Sequence, residues 1–260
     1  MRQKIVHVTE ALGGGVLHCV ALLANRQAAA GDEVVVLHSV RQDTPPAAKL
    51  NELFDPRVRR QVVDMRTSIG AHDIVSVFRL LIELFRERPD IVHLHSSKAA
   101  ALGRIAARVL GITARTIYSP HGFAFLKEDI SPLKIKLFLL IERALHATGG
   151  HIVACSKSEL RYARMLLLRA ERTSLVENAV KLDEFHSGGR GPAGEQVVVC
   201  TSARVTCQRV GAAASAHARA RFGDSQLFRS YVGIYRRLLT PVQGHRLPAV
   251  THVLSHEVPK

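Results

Sequence analysis

Short β-branched runs alternate with helical stretches along most of this chain, and that alternation restricts the fold more than any other feature. Residues 4–8 form an apolar β-branched run. Gly13, Gly14 and Gly15 follow, and Val16, Val20, Leu22, Leu23 and Ala24 then mark the apolar face of a helix. Gly31 closes that helix and the run EVVVL at 33–37 supplies a second strand, so the chain opens with one βαβ unit. The pattern predicts further strands at 61–64, 91–94, 114–118, 151–154 and 173–176, separated by helices over 73–87, 99–110, 133–146 and 157–168. Strands that are apolar throughout, rather than at every second residue, belong to a sheet covered on both faces. The expected class is therefore α/β: a Rossmann-like, doubly wound parallel sheet.

The alternation defines a first domain over residues 1–180. A Gly-, Pro- and charge-rich stretch, SGGRGPAGE, marks residues 181–195 as a linker. The run QVVVCTS then reads as the first strand of another unit, but beyond residue 209 the strand–helix alternation lapses. Residues 196–260 are thus expected to hold the incomplete start of a second domain and a basic, disordered tail. The charge is uneven as well. Net charge is +14 overall, and residues 209–260 carry eight Lys or Arg against only Asp224 and Glu257.

Such a charge suits nucleic acid, an anionic surface or small anions. Nucleic acid is disfavoured because aromatics make up 5% of residues, with no tryptophan, and no binding-motif signature occurs. Cys19, Cys155, Cys200 and Cys207 are too scattered for a disulfide framework or structural zinc and read as small apolar side chains. No stretch reaches the roughly 18 to 20 apolar residues of a spanning helix, and the N-terminus lacks a leader-like apolar region, so a cytoplasmic protein is expected.

In open α/β sheets ligands sit beyond the carboxyl ends of the strands, which directs attention to the loops there. Gly14 and Gly15 at a strand-to-helix junction suit the approach of a phosphate or carboxylate, although the spacing is not a dinucleotide fingerprint and no acid ends the second strand. A tight turn without a ligand is the other reading. The segments HLHSSK (93–98) and SPHGF (119–123) end two neighbouring strands and should line one crevice. His93 and His95 lie on one side of their strand, where core packing and a cleft role are both open. His121, between proline and glycine at a strand end, has no strand or helix role and is the stronger functional candidate. No carboxylate or cysteine stands at metal-ligand spacing from these histidines, so no metal is expected. Ser156 either caps the next helix, with Glu159 completing a capping box, or faces the crevice; Asn178 is either a turn former or a cleft group. Lysines beside large apolar residues over 131–138 fit an interfacial helix or an ordinary solvated face.

In this order, GGGV, AAAGDEVVVL, DIVHLHSSKAAALGRIAARVLG, IYSPHGFAF, IVACSKSE and VENAVKLDEF resemble the N-terminal, acceptor-side domain of the retaining GT-B glycosyltransferases of family four, over about the first 208 residues. The HLHSSKAAALGR and SPHGFAF forms look most like bacterial enzymes of exopolysaccharide, capsule or lipid-linked oligosaccharide assembly. The resemblance implies transfer of a sugar from a UDP- or GDP-sugar to a glycan or lipid-linked acceptor, without a cofactor or required metal, at or near the inner membrane. It implies His121 at the reacting centre and Gly14 and Gly15 beside the donor's phosphates and the acceptor; His95, Ser97, Lys98, Gly122, Ser156 and Asn178, in the strand-end loops, are the further candidates for binding donor or acceptor. Arg204 and Arg209 stand where the family's second domain supplies cations to the leaving diphosphate. The family's Glu-x7-Glu motif has no counterpart after Arg209. A coding sequence shifted or truncated near Gln208 is the expectation that follows. With it comes a second functional reading, a non-catalytic acceptor-binding module or one subunit of a split enzyme.

Overall fold

The computed structural model describes residues 2–127, 130–167, 170–179 and 223–240. Strands β1 (Lys4–Thr9), β2 (Glu33–His38), β3 (Arg59–Val62), β4 (Ile91–His95), β5 (Thr116–Ser119), β6 (His151–Ala154) and β7 (Thr173–Leu175) form one sheet in the order β3-β2-β1-β4-β5-β6-β7. Every pairing is parallel, with His7 beside His93 and Thr9 beside His95 across β1 and β4. Helices α1 (Gly14–Ala29), α2 (Ala47–Leu53), α3 (His72–Glu87), α4 (Ser97–Val109), α5 (Pro132–Ala147) and α6 (Lys157–Leu167) make the crossovers. This is the doubly wound α/β architecture that the alternation predicts.

Side-chain alternation divides the core between the two faces of the sheet. Val6, Val8, Val92, Leu94 and Tyr118 face α3, α4 and α5, with Leu80, Leu84 and Ala106 packed on them. Ile5, Ile91 and Ile117 face the opposite layer, where Leu22 and Leu23 of α1 meet a further helix, α7 (Asp224–Leu239).

Helix α7 departs from the expected irregular tail. Its buried residues Leu227, Tyr231, Ile234 and Tyr235 recur at i, i+4, i+7 and i+8, the spacing of a helix with one buried face. Gly233 and the neighbouring arginines hide that period when only aliphatic residues are weighted. Arg26 of α1 pairs with Asp224 in the first turn of α7. Two smaller differences lie at the far edge of the sheet. Strand β3 begins two residues earlier than 61–64 and ends at Val62, while Val63 and Met65 are buried just beyond it. Helix α2 buries only Leu50, too little for a periodic signal.

The outer surface of the α3–α5 layer is unusually apolar. On α3, Ile74, Phe78, Ile82 and Phe85 form one stripe, with Phe78 and Phe85 each 61% exposed. On α5, Leu133, Leu137 and Leu140 form another, with Leu133 78% exposed. Arg79, Arg108, Lys134 and Lys136 are exposed among them. Among the described residues no helix is long and apolar enough to cross a membrane.

Candidate functional site

Strand order reverses between β1 and β4, and the segments leaving β1, β5, β6 and β7 line a cleft beside that switch point. The β1 loop carries the glycines. A Cβ on Gly13 would lie 2.7 Å from both the backbone oxygen and the carboxylate of Asp43, so only glycine fits against the β2–α2 loop there. Gly14 takes a φ of +50, and nothing lies within 4 Å of a Cβ built on Gly14 or Gly15. Helix α1 starts with no side-chain cap, so its first N–H groups have no side-chain acceptor, and its Gly15 and Val16 line the cleft.

On the opposite wall His121 (φ 49) and Gly122 (φ 98) turn the chain after β5. For histidine this left-handed conformation costs on the order of 1–3 kcal/mol, which the surrounding contacts must offset. Glu159 provides several of them. One carboxylate oxygen accepts from Gly122 N (2.5 Å) and the other from Cys155 N (2.7 Å), which clamps the β5 loop to the β6 loop. Ser156 accepts from Glu159 N at 3.2 Å, so it caps α6 as the capping reading holds, and it also lines the cleft. Gly15, Val16, His121, Gly122, Cys155, Ser156, Glu159 and Asn178 enclose about 400 Å³. A larger but more open hollow of about 640 Å³ lies beside Arg41, Asp43 and Thr67, where buried Glu10 accepts from Arg41 (2.8 Å) and Thr67 (2.9 Å). The smaller cleft is the stronger candidate, because four strand ends and the open start of α1 converge on it.

Behind the cleft, ring nitrogens link into a buried chain. Cys155 Sγ lies 3.3 Å from His121 Nδ1, His121 Nε2 lies 3.0 Å from His95 Nδ1, and His95 Nε2 lies 3.0 Å from His7 Nδ1. His7 Nε2 meets Gln27 Oε1 at 2.7 Å, and Gln27 Nε2 meets the Tyr235 hydroxyl at 3.3 Å. Tyr235 then reaches His93 Nδ1 (2.8 Å), and His93 Nε2 reaches Ser119 Oγ (2.8 Å), which contacts the Tyr231 hydroxyl (3.0 Å). Burial keeps every member uncharged. It lowers the pKa of His7 and of His121 to about 4, holds His93 and His95 well below the usual range, and pushes the Cys155 thiol well above its own. Cys155 and His121 therefore do not form a thiolate–imidazolium nucleophile. His7, His93 and His95 offer ligand atoms within 4.8 Å of one another, a spacing a metal ion could use. All their ring nitrogens are already hydrogen-bonded, so a metal would have to replace those bonds.

The structure thus brings together Gly15, His121, Gly122, Ser156 and Asn178 among the residues singled out in the sequence, with Gly14 in the turn next to Gly15. His95 is fully buried and reaches the cleft only through His121, and His93 is a core residue. Ser97 and Lys98 turn away. Ser97 Oγ contacts the Tyr118 hydroxyl (3.0 Å) and accepts from Ala124 N (3.1 Å), while Lys98 Nζ binds Asp73 and the Ser68 carbonyl beside α3. The carboxylate of Asp73 competes for the lysine better than an open cleft does. Arg204 and Arg209 lie outside the described residues. Sequence reasoning missed His7, Gln27, Cys155 and the tyrosines of α7, and assigned Glu159 only to capping. His7 had a legible signal, since a histidine inside a β-branched strand requires a buried polar partner.

Residues 14–179 match the glycosyl transferase 4-like domain. A UDP-Gal:α-D-GlcNAc-diphosphoundecaprenol α-1,3-galactosyltransferase of Escherichia coli is 33% identical over 113 residues, which are 44% of this chain and 29% of the enzyme. A 41.2 kDa protein from the cps region of Klebsiella pneumoniae, itself uncharacterized, is 26% identical over 69% of this chain and 48% of its own length. The chain spans less than half the length of these relatives. Among solved structures, Anabaena HepE in complex with UDP superposes with a TM-score of 0.53 at 17% identity, over 69% of this chain and 45% of HepE. Sucrose-phosphate synthase of Thermosynechococcus elongatus gives 0.52 at 16% identity, over 71% and 50%. Both share the fold. With the family match spanning well over half of the chain, this protein belongs to the glycosyl transferase 4-like domain family.

Proposed function

We propose that the chain is the acceptor-side half of a retaining, nucleotide-sugar-dependent glycosyltransferase that passes a hexosyl group from a UDP- or GDP-sugar to a glycan or lipid-linked acceptor. The observation that carries this reading is the cleft itself: Gly15 and Val16 in the uncapped first turn of α1 share one cavity with His121, Gly122 and Ser156. In the reaction the bond from the anomeric carbon to the diphosphate breaks and a bond to the acceptor oxygen forms. The acceptor's proton leaves on the nucleoside diphosphate. Charge grows on that leaving group, where backbone donors of α1 stabilise it, with Arg204 and Arg209 as the expected cations. His121 is uncharged and its Nδ1 is engaged only by the weak Cys155 thiol contact, so its part is to hold a sugar hydroxyl in place at the reacting centre through that nitrogen. The E. coli relative, whose name specifies a diphosphoundecaprenol acceptor, supports a lipid-linked acceptor here.

Peripheral contact with the inner membrane belongs to the same reading. The apolar stripes of α3 and α5, with Arg79, Lys134 and Lys136 exposed among them, have the chemistry of a surface that seats on anionic lipid from the cytoplasmic side. Vesicles containing phosphatidylglycerol should retain the chain, Phe78→Glu combined with Leu133→Glu should release it, and equal retention on phosphatidylcholine alone would refute an electrostatic part.

Gly15→Val tests the cleft, since the added side chain enters open space rather than the core. Calorimetric titration of the full chain with UDP and GDP should show binding that weakens at least tenfold in the variant, with thermal unfolding unchanged. Absence of binding by either nucleotide sinks the proposal. Binding without transfer to a polyprenyl-diphosphate-linked sugar favours the non-catalytic module.

A further inference from the structure

The buried polar chain has a direction. Suppose Gln27 presents its oxygen to His7 and its amide N–H to Tyr235, as the contacts are arranged. His7 then donates from Nε2 and accepts at Nδ1, which makes His95 donate from Nε2 and accept at Nδ1. His95 in turn makes His121 donate from Nε2, leaving the His121 Nδ1 lone pair to accept from the Cys155 thiol. On the other arm Tyr235 accepts from Gln27 and donates to His93, which donates to Ser119. Turning the amide of Gln27 over would reverse every bond, and the chain would end with His121 Nδ1–H pointing at sulfur. Sulfur is a weak acceptor and its proton is firmly held in this buried site, so the first sense is the stable one. The sense of one amide on α1, bonded to one hydroxyl on α7, is therefore tied through His7 and His95 to which atom of His121 bears a proton.

We propose that α7 is a working part of the cleft: through Tyr235, Gln27, His7 and His95 it holds His121 in the Nε2–H tautomer, with Nδ1 kept as an acceptor that a substrate O–H reaches by displacing the Cys155 thiol. Tyr235, Gln27, His7 and His95 are positioning residues, since none of them lines the cleft. The link to Cys155 is the chain's weakest, at 3.3 Å from a thiol donor, and it is the one at the cleft wall. An incoming hydroxyl exchanges a weak donor for a strong one without altering any other bond. That the donor is a sugar hydroxyl rests on the glycosyl-transfer reading; the tautomer stands without it.

Long-range proton–nitrogen NMR on the full chain with nitrogen-labelled histidine reads the tautomer directly. His121, His95 and His7 should each show an unprotonated Nδ1 and a protonated Nε2. Tyr235→Phe removes the hydroxyl bonded to Gln27, and Gln27→Met removes the bonds to both Tyr235 and His7 from α1 while keeping every side chain of α7. In either variant the single His121 tautomer should become a mixture, although both changes are remote from its ring. Tyr231→Phe, beyond Ser119 at the far end, should leave His121 as in the parent. A protonated Nδ1 on His121 in the parent would overturn the proposal, as would an unchanged His121 in both Tyr235→Phe and Gln27→Met. Stoichiometric Co2+ uptake by the parent with a ligand-field spectrum lost in His7→Gln would also overturn it, because the same nitrogens would then serve a metal. UDP binding that persists with a mixed tautomer separates failure of the donor reading from failure of this one.

Discussion

The two ends of the β1–β4 pair bury polar groups in opposite ways. At the N-terminal end Lys4 Nζ lies 2.8 Å from both Glu33 and Glu87, and Arg59 grips Glu87 with two bonds of 2.6 Å. Side-chain hydrogen bonds from Arg59 and Lys4 lower the Glu87 pKa to about 2. At the other end, toward the cleft, four histidines and a cysteine are uncharged and satisfied by one another and by Gln27, Tyr235 and Ser119. Charge is tolerable where long side chains can reach both a partner and water; Arg59 is 50% exposed. Next to a ligand site the same charges would compete with the ligand's own. A neutral chain supplies rigid, oriented polarity without a field.

Acid should break the comparison most strongly. The histidine pKa values are depressed on folding, so the unfolded chain binds more protons below about 6.5, and stability falls as pH drops from there towards 4. His7 alone accounts for about 3 kcal/mol across that window. Glu87 is also depressed, but its contribution is lost only between its ordinary value of 4.5 and about 2. Urea midpoints measured at several pH values should therefore show the cleft end failing first. Replacing the middle of the neutral chain comes next: His95→Leu leaves His7 Nδ1 and His121 Nε2 without partners, at a cost of about 3 kcal/mol by denaturant titration. Glu87→Gln should cost about 1–2 kcal/mol, and high salt should shrink that difference while leaving the His95→Leu effect in place. The smallest effect belongs to Asp224→Asn, whose pair with Arg26 is partly exposed; less than about 1 kcal/mol should appear in the same titration.

The charged end and the neutral end also differed in legibility. Apolar period and punctuating glycines located the strands and crossover helices because these signals are local, and the PHG turn marked His121 because a histidine there has no structural excuse. Which way a side chain turns at a loop end is not local. Lys98 looked like a cleft cation until Asp73, on a different helix, claimed it. The buried chain was unreadable for the same reason: its links join residues 20 to 208 positions apart, and each looks ordinary alone. Helix α7 was missed for another reason. Tyrosine carries its buried face, and tyrosine was not weighted as a core residue in a basic segment.

The docking of α7 bears on the order in which the molecule assembles. Tyr235 is 208 positions from Gln27 and 142 from His93, so these contacts form only after residue 235 has left the ribosome. Until then the face of the sheet that carries Ile5, Ile91 and Ile117 is covered only in part, by Leu22 and Leu23 of α1, and His93 has an unmet nitrogen in the middle of it. Closing so long a loop is slow relative to the local βα units. A nascent chain paused before residue 224 would therefore expose a sticky, half-finished sheet, a natural substrate for chaperones and proteases.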